Sequence, residues 1–462
     1  MPFSTIYQRF VEGAPASVMV QSVLERVFAP QKIDRLFEKH AKRQYTRRLL
    51  FSAIVGLMSL VVLRLRKSVN AAYRPLSKTL SVSLTAVYDK LNCMEPEVSA
   101  GLVRDTAQEM ATAIHDMKGA LPPLVEGHRV IYLDGNCLAG SEHRIFELRD
   151  VRAAALPGKS LVMLDQETGL VWDIVPCEDG HAQERSLLDR VLEKLEERQV
   201  WVADRNFCTA RFLASLHQRG VHFVIRRHGN LPCRTVGRRY RMVPRKQWPA
   251  VYEEEAVIWN VEDTPIQVRL ITVVRKAPTR DGEHEIAILT NLSCRQANAE
   301  KVAAIYASRW GLETAFQKLT DVLRCEVDTL GYPKAALFAF SVAVTSYNVV
   351  ATLEAGLRAV HGGEKIKTTL STYHLTAEIA VTHGGMMRVV PVQDWQRIRR
   401  MTRAEFARLL LGLARRIDLD QMRKATRGPK HPVTPKTRYR NTPHVSTKKL
   451  LEQSRGTRVR TP

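Results

Sequence analysis

Seven cysteines in 462 residues form no C-x-x-C pair and no Cys/His ladder, which excludes both a disulfide framework and a zinc module. A reducing cytoplasm fits that usage. The apolar run that most invites a membrane reading, Leu49 to Leu63 between Arg47-Arg48 and Arg64, is about fifteen residues long, short of the roughly 20 that a bilayer span needs. It has no cleavage region and lies too far inside for a signal peptide, so a buried helix is expected and no membrane partner. No internal repeat is visible. Acidic residues are scarce: 47 Asp and Glu face 70 Lys and Arg, giving a formal charge of +23 and a pI near 9.9. Such a field favours a polyanionic partner, nucleic acid ahead of anionic lipid.

At about one domain per 150 residues, the length suggests two to four domains. Residues 1–125 contain no convincing alternating strand and read as a helical region, with apolar three- and four-residue spacing at Ile33 to His40 and Val98 to Met117. Within it, Ser81 to Leu91 reads equally as an ordinary capped helix or as the second half of a helix-turn-helix. From about 129 the texture becomes β-rich. Arg129–Asp134, Arg144–Leu148, Leu161–Asp165 and Leu170–Val175 are candidate strands, followed by an amphipathic pattern from Gln183 to Arg198. Val200–Asp204, a helix from Thr209 to Arg219 and Val221–Ile225 complete an order of strands, helix, strand, helix, strand. Residues 226–285 are β-like without a convincing helix. After Ile286–Thr290, a helix is expected from about Asn298 to Leu323, and further helical patterns from Lys334 to Arg358 and from Ala404 to Ile417. From Arg423 the tail carries twelve Lys or Arg against the single Glu452 and is expected to be disordered until it meets a polyanion.

Three carboxylates concentrate the chemistry. Asp134 follows Val130-Ile-Tyr-Leu133 and Asp204 follows Val200-Trp-Val-Ala203, so each is presented at the end of a buried strand. If those strands are parallel neighbours their ends coincide, and an acid from a helix crossing that edge completes an oxygen cage suited to Mg²⁺. Glu313 is the candidate third acid. Tyr306, Arg309 and Glu313, three and four residues apart, share one helical stripe, on which Arg309 reads either as an ion-pair partner of Glu313 or as a phosphate clamp. Asp165 and Asp173 are rivals for the first acid. Asp179, His181 and Glu184 form a second cluster, better explained by capping of a helix start than by a metal. Cys137 has no evident base to activate it and reads as a small buried residue.

These residues resemble a known family. Asp134 after a strand, Asp204 in Ala-Asp204-Arg205-Asn206-Phe207 and Tyr306-x2-Arg309-x3-Glu313 are similar to the DDE transposases of bacterial insertion sequences, specifically the insertion sequence 4 family with its Tyr-Arg-Glu-Lys signature. The resemblance covers roughly residues 125–330. It implies an α/β chain whose ribonuclease-H-like catalytic core, 126–225 and 286–355, is interrupted by a β-rich insertion, 226–285. It further implies a helical DNA-binding region at 1–125; the residues themselves add a helical region at 356–422 and the basic tail at 423–462. Carried over, Asp134, Asp204 and Glu313 become ligands of Mg²⁺, with Mn²⁺ able to substitute, and Tyr306 and Arg309 become phosphate contacts. The implied partners are terminal inverted repeats and target DNA, engaged by a homodimer in the cytoplasm at the nucleoid. The implied reaction cleaves the element end and joins its 3′-OH to target DNA. The signature lysine departs: its position is Thr320, Lys318 is about 140° around the helix from Glu313, and Arg324 returns to the same face as a candidate DNA contact. Trp248 and Trp259 are the insertion's tryptophans available to stack a flipped base. Two other functions keep the same acids in view: a DNA-binding regulator whose chemistry has decayed, and a metal-dependent nuclease without strand transfer.

Overall fold

The computed structural model describes residues 3–44, 48–138, 145–148, 154–242, 248–259, 265–279, 282–321, 323, 325–424 and 444–458. The N-terminal helices are Thr5–Gly13 (α1), Pro15–Val27 (α2), Pro30–His40 (α3), Phe51–Val62 (α4), Val69–Tyr73 (α5), Ser77–Leu80 (α6), Leu84–Asn92 (α7) and Pro96–Asp116 (α8). Proline opens α2, α3 and α8, where its missing N–H leaves no hydrogen bond unmade. Serine side chains at 4, 68 and 83 accept from the first turns of α1, α5 and α7. The apolar run after Leu49 is α4, with Phe51, Ile54, Met58 and Val62 buried, as its length predicts.

The centre is a nine-stranded mixed sheet. Its strands are Arg129–Cys137 (β1), Lys159–Asp165 (β3), Val171–Cys177 (β4), Gln199–Ala203 (β5), His222–Arg226 (β6), Cys233–Met242 (β7), Ala250–Trp259 (β8), Pro265–Val274 (β9) and Glu285–Thr290 (β10); Ala154–Leu156 (β2) lies outside it. The order β4-β3-β1-β5-β6-β10-β9-β8-β7 places β1, β5 and β6 side by side and parallel, while every other pairing is antiparallel. The strands of the 226–285 segment thus extend the same sheet through β10. The architecture is a mixed α/β fold with helical flanks, consistent with a ribonuclease-H-like core.

Side-chain alternation splits the core in two. Val130, Tyr132, Val200, Val202 and Val224 join the larger cluster on one face, while Ile131, Leu133, Trp201, Ala203, Phe223 and Ile225 join the second cluster on the other. Both faces are covered, which explains why β1, β5 and β6 are near-continuous apolar runs. The short helix Leu188–Leu192 (α9) and Ala210–Gln218 (α10) cover the second face with Leu188, Val191, Phe212 and Leu213. Each such side chain contributes about 1.5–3 kcal/mol by leaving water.

Pro333–His361 (α13) is long and apolar enough to cross a bilayer, yet its most apolar window is wholly buried in the fold. It packs on α8, α4 and α2, and its buried Asn348 covers the sheet edge: the side-chain amide donates to Val171 O at 2.7 Å and its carbonyl accepts from Val171 N at 2.8 Å. Gly363–Thr369 (α14), Thr372–Val389 (α15), Val392–Arg400 (α16) and Arg403–Ala414 (α17) follow.

Four segments differ from the sequence reading. Instead of a strand at Arg144–Leu148, Phe146–Leu148 is a 3₁₀ turn, because Ile145 and Leu148, three apart, bury together; Arg144 lies outside the described residues. The pattern from Gln183 shortens to the 3₁₀ turn Glu184–Leu187 and α9, since Glu193, Glu196 and Glu197 crowd a helix C-terminus that disfavours negative charge. The expected helix from Asn298 is two, Ala299–Ser308 (α11) and Trp310–Asp321 (α12), broken where Arg309 turns inward. Of the tail expected to be disordered from Arg423, the described stretch 444–458 forms His444–Ser446 (β11), parallel to β2, and Thr447–Arg458 (α18), while 425–443 and 459–462 lie outside the described residues. Val445, Leu450 and Leu451 give this segment an apolar face on Ile145 and Leu148.

Candidate active site

The register decides where the acids stand. Leu133 pairs with Ala203 across parallel β1 and β5, so the next residues, Asp134 and Asp204, are level. By alternation both occupy the face of Tyr132 and Val202, the face crossed by α11. Tyr132 Oη and Ser308 Oγ lie 2.7 Å apart and tie the end of α11 to β1.

From α11, Tyr306 Oη donates to Asp204 Oδ1 at 3.2 Å, and at its end Arg309 Nη1 donates to Asp134 Oδ2 at 2.7 Å. Tyr306 and Arg309 are 6% and 8% exposed, so both contacts are shielded from water. Burial, followed by the charge of Asp204, pushes the Tyr306 hydroxyl up to about 12, which keeps it a donor at neutral pH. Burial also lifts Asp134 to about 6; Arg309 and the Gly135 N–H oppose that rise, while Glu184 and Asp204 add to it. Asp134 is therefore a carboxylate that is ionised at neutral pH but carries its charge at a cost, which a nearby cation relieves.

Of the sequence-predicted site residues, Asp134, Asp204, Tyr306 and Arg309 are brought together. Glu313 falls in the first turn of α12, which packs against β1. The side chains of Glu313, Lys318 and Thr320, and the whole of Arg324, lie outside the described residues. Among the described residues no three His, Cys, Asp or Glu side chains are grouped to hold a metal.

The rivals have other duties. Buried Asp165 accepts from Arg129 Nε at 3.0 Å at the opposite end of β1, opposite Ile131. Buried Asp173 sits between Arg104 Nε, at 2.9 Å, and Lys194. Asp179 accepts from His181 N at 3.0 Å in a turn and pairs with Lys449 of α18 at 3.4 Å. Cys137, read from the sequence as a small buried residue, is instead exposed at the end of β1; desolvation of its thiol pushes it up, with Lys159 opposing that rise and Glu184 adding to it.

Arg226 and Trp310 escaped the sequence reading, and Glu184 was read there only as part of a helix cap. Arg226 ends β6 level with Asp204, since Ala203 pairs with Ile225, and its Nη1 is 4.0 Å from Asp204 Oδ1; its strand-end position was the available signal. Glu184 rests against Gly135, and Trp310 joins Trp248 in a cavity of about 460 Å³ that also involves Tyr306, Arg275 and Lys276. Trp259, 46% exposed at the far end of β8, is not part of it.

Residues 128–349 match the transposase DDE domain. The matched span holds Asp134, Asp204, Tyr306, Arg309 and Glu313, and it supports a DDE transposase. That class depends on divalent metal ions and implies DNA binding. No curated protein matches the chain.

Proposed function

We propose that this protein is a transposase that cleaves the ends of an insertion sequence and transfers the freed 3′-OH strand into target DNA. The observation that carries the reading is the level placement of Asp134 and Asp204 on adjacent parallel strands, facing Tyr306 and Arg309 and beside the helix that bears Glu313. The donors fit a hard divalent cation: carboxylate oxygens only, on rigid elements, with Asp134 destabilised by burial and by its neighbouring acids. Asp134, Asp204 and Glu313 would hold Mg²⁺, or Mn²⁺ in its place, and the bound ion supplies charge stabilisation for phosphoryl transfer.

The chain's own residues do the positioning. Tyr306 orients Asp204, and Arg309 presents a planar guanidinium to a phosphate once Asp134 has another counter-ion. Trp248 and Trp310 flank a cavity wide enough for an unstacked base. The Tyr-Arg-Glu spacing supports the insertion sequence 4 assignment, with Thr320 at the lysine position and Arg324 as the proposed substitute. A homodimer that pairs two element ends in the nucleoid completes the reading. The substitution at Thr320 also favours a second one, a DNA-binding regulator with decayed chemistry.

The deciding experiment incubates the purified protein with Mg²⁺ and a duplex carrying the inverted repeats that flank its gene. Cleavage at the repeat boundary and joining to a plasmid, both lost in Glu313→Gln, are expected. Binding without cleavage selects the regulator, and cleavage without joining selects a nuclease.

A further inference from the structure

The sheet register gathers one end of every strand in its insertion half on the rim that bears the two aspartates. Asp134 and Asp204 follow the β1–β5 pairing and Arg226 closes β6. Strand β10 starts at this rim with Glu285 opposite Val274, the last residue of β9, and Arg275 and Lys276 follow at once. Strand β8 begins there, Ala250 opposite Val274, and β7 ends there with Arg241 opposite Tyr252. The acids on this rim are already engaged: Glu283 pairs with Arg205 and Arg226, and Glu285 lies 3.9 Å from Arg239. Arg241, Arg275 and Lys276 have no carboxylate partner among the described residues, and Arg241 and Lys276 are exposed.

We propose that this rim is the track of the DNA backbone leading away from the catalytic pocket, with Arg241, Arg275 and Lys276 set against successive phosphates. The inference rests on the DNA reading of the site and adds where the duplex runs. From β1 to β7 there are six strand steps of about 4.8 Å, at most roughly 29 Å. At 3.4 Å per base pair that is roughly eight base pairs of duplex. Strand β7 suits its outer end: as the sheet's edge it is exposed from Arg234 to Met242 and carries Arg234, Arg238, Arg239 and Arg241 with no acidic residue. Positive charge along an edge, of which among the described residues Arg239 is ion-paired to Glu254 and Glu285, draws a phosphate backbone by counter-ion release.

The test uses the full chain, a fluorescein-labelled 30-base-pair duplex of arbitrary sequence, EDTA, and anisotropy titrations over a KCl series. Three charges are removed from the rim in Arg241→Ala/Arg275→Ala/Lys276→Ala. Three are removed from exposed positions on the C-terminal helices in Lys365→Ala/Arg388→Ala/Arg408→Ala. With about 0.9 of salt slope per phosphate contact, the rim variant should lose about 2.7 from the slope of log K against log [KCl] and bind at least tenfold more weakly at 100 mM. The helix variant should keep the wild-type slope, with thermal melts matching in all three proteins. A rim variant that binds like wild type, or a helix variant that loses as much, overturns the track while leaving the DNA reading intact. A wild-type protein that does not bind the duplex overturns both. Lys276→Glu alone, expected to exceed the effect of Lys276→Ala, separates charge from shape.

Discussion

The carboxylate of Glu184 rests on the backbone of Gly135: a Cβ at 135 would come within 1.9 Å of Glu184 Oε1 and 2.5 Å of its Cδ. Gly135 follows Asp134 directly, so this close approach is what adds the Glu184 charge to those that lift Asp134. Gly135→Ala should push the flexible end of Glu184 away without straining the strand, with stability changing by less than about 1 kcal/mol. The Asp134 carboxyl should then titrate below its wild-type value, and Glu184→Gln should shift it the same way. Carbon-detected NMR of the labelled carboxylates measures both; an unmoved Asp134 resonance in both variants refutes the coupling.

The raised pKa of Asp134 carries a sign for stability and another for cation binding. Its folded value of about 6 lies above the ordinary carboxylate range, so the folded state holds more protons than the unfolded one between roughly pH 4 and 6. The contribution of this group to stability therefore declines as pH rises through that window. Cation binding runs the other way, because the ionised form is the ligand. Between pH 7.5 and 5 the ionised fraction falls about tenfold, and Mn²⁺ affinity read by electron paramagnetic resonance should fall by a similar factor. Asp134→Asn should bind weakly at both pH values. Arg309→Ala removes the main opposing charge, so Asp134 should titrate higher still and the affinity loss should begin nearer neutrality.

The sheet edge depends on one amide. Asn348 is fully buried and satisfies both backbone groups of Val171 on β4. Asn348→Ala leaves a buried N–H and a buried C=O without their partner, each costing about 1–3 kcal/mol. Urea unfolding should show a loss of about 2–6 kcal/mol at unchanged m-value. Asn348→Asp, which keeps an acceptor but loses the donor, should also destabilise, leaving Val171 O unpaired.

Much of this was legible in the chain. The apolar runs before Asp134 and Asp204 announced buried strands, and their parallel pairing makes the two acids meet, so the strand-end reading anticipated where these two candidate acids stand. The helical stripe was legible only in part. Tyr306 and Arg309 do converge, but on two different aspartates, and the helix breaks at Arg309 because that side chain turns into the sheet. Glu184 was assigned to capping because its approach to Gly135 depends on a turn that lies 49 positions along the chain, a contact no local spacing encodes. The described end of the tail, 444–458, misled for a related reason. Its composition is that of a disordered segment, yet Val445, Leu450 and Leu451 find an apolar partner surface contributed by residues some 300 positions earlier.

That returning tail makes a prediction of its own. Strand β11 pairs with β2, α18 packs on the turn at Phe146–Leu148, and Lys449 reaches Asp179 at 3.4 Å. Burial favours the protonated Asp179 carboxyl, but hydrogen bonds from Ser446, His181 N and Lys449 outweigh it and hold the group below the ordinary range. Stability from this contact is present above the unfolded pKa and is lost as pH falls through the lower folded value. Truncation after residue 443 removes Ser446 and Lys449 together. Asp179 should then titrate higher, nearer its unfolded value, so this group's acid-dependent stability shrinks and the acid limb of the stability curve should be shallower than in the full chain. Hydrogen exchange should rise in β2 and at residues 145–148, where the tail's cover is lost, while β1 and β5 keep wild-type protection behind both core clusters. Equal exchange at β2 in the two proteins shows that the tail contributes no cover there.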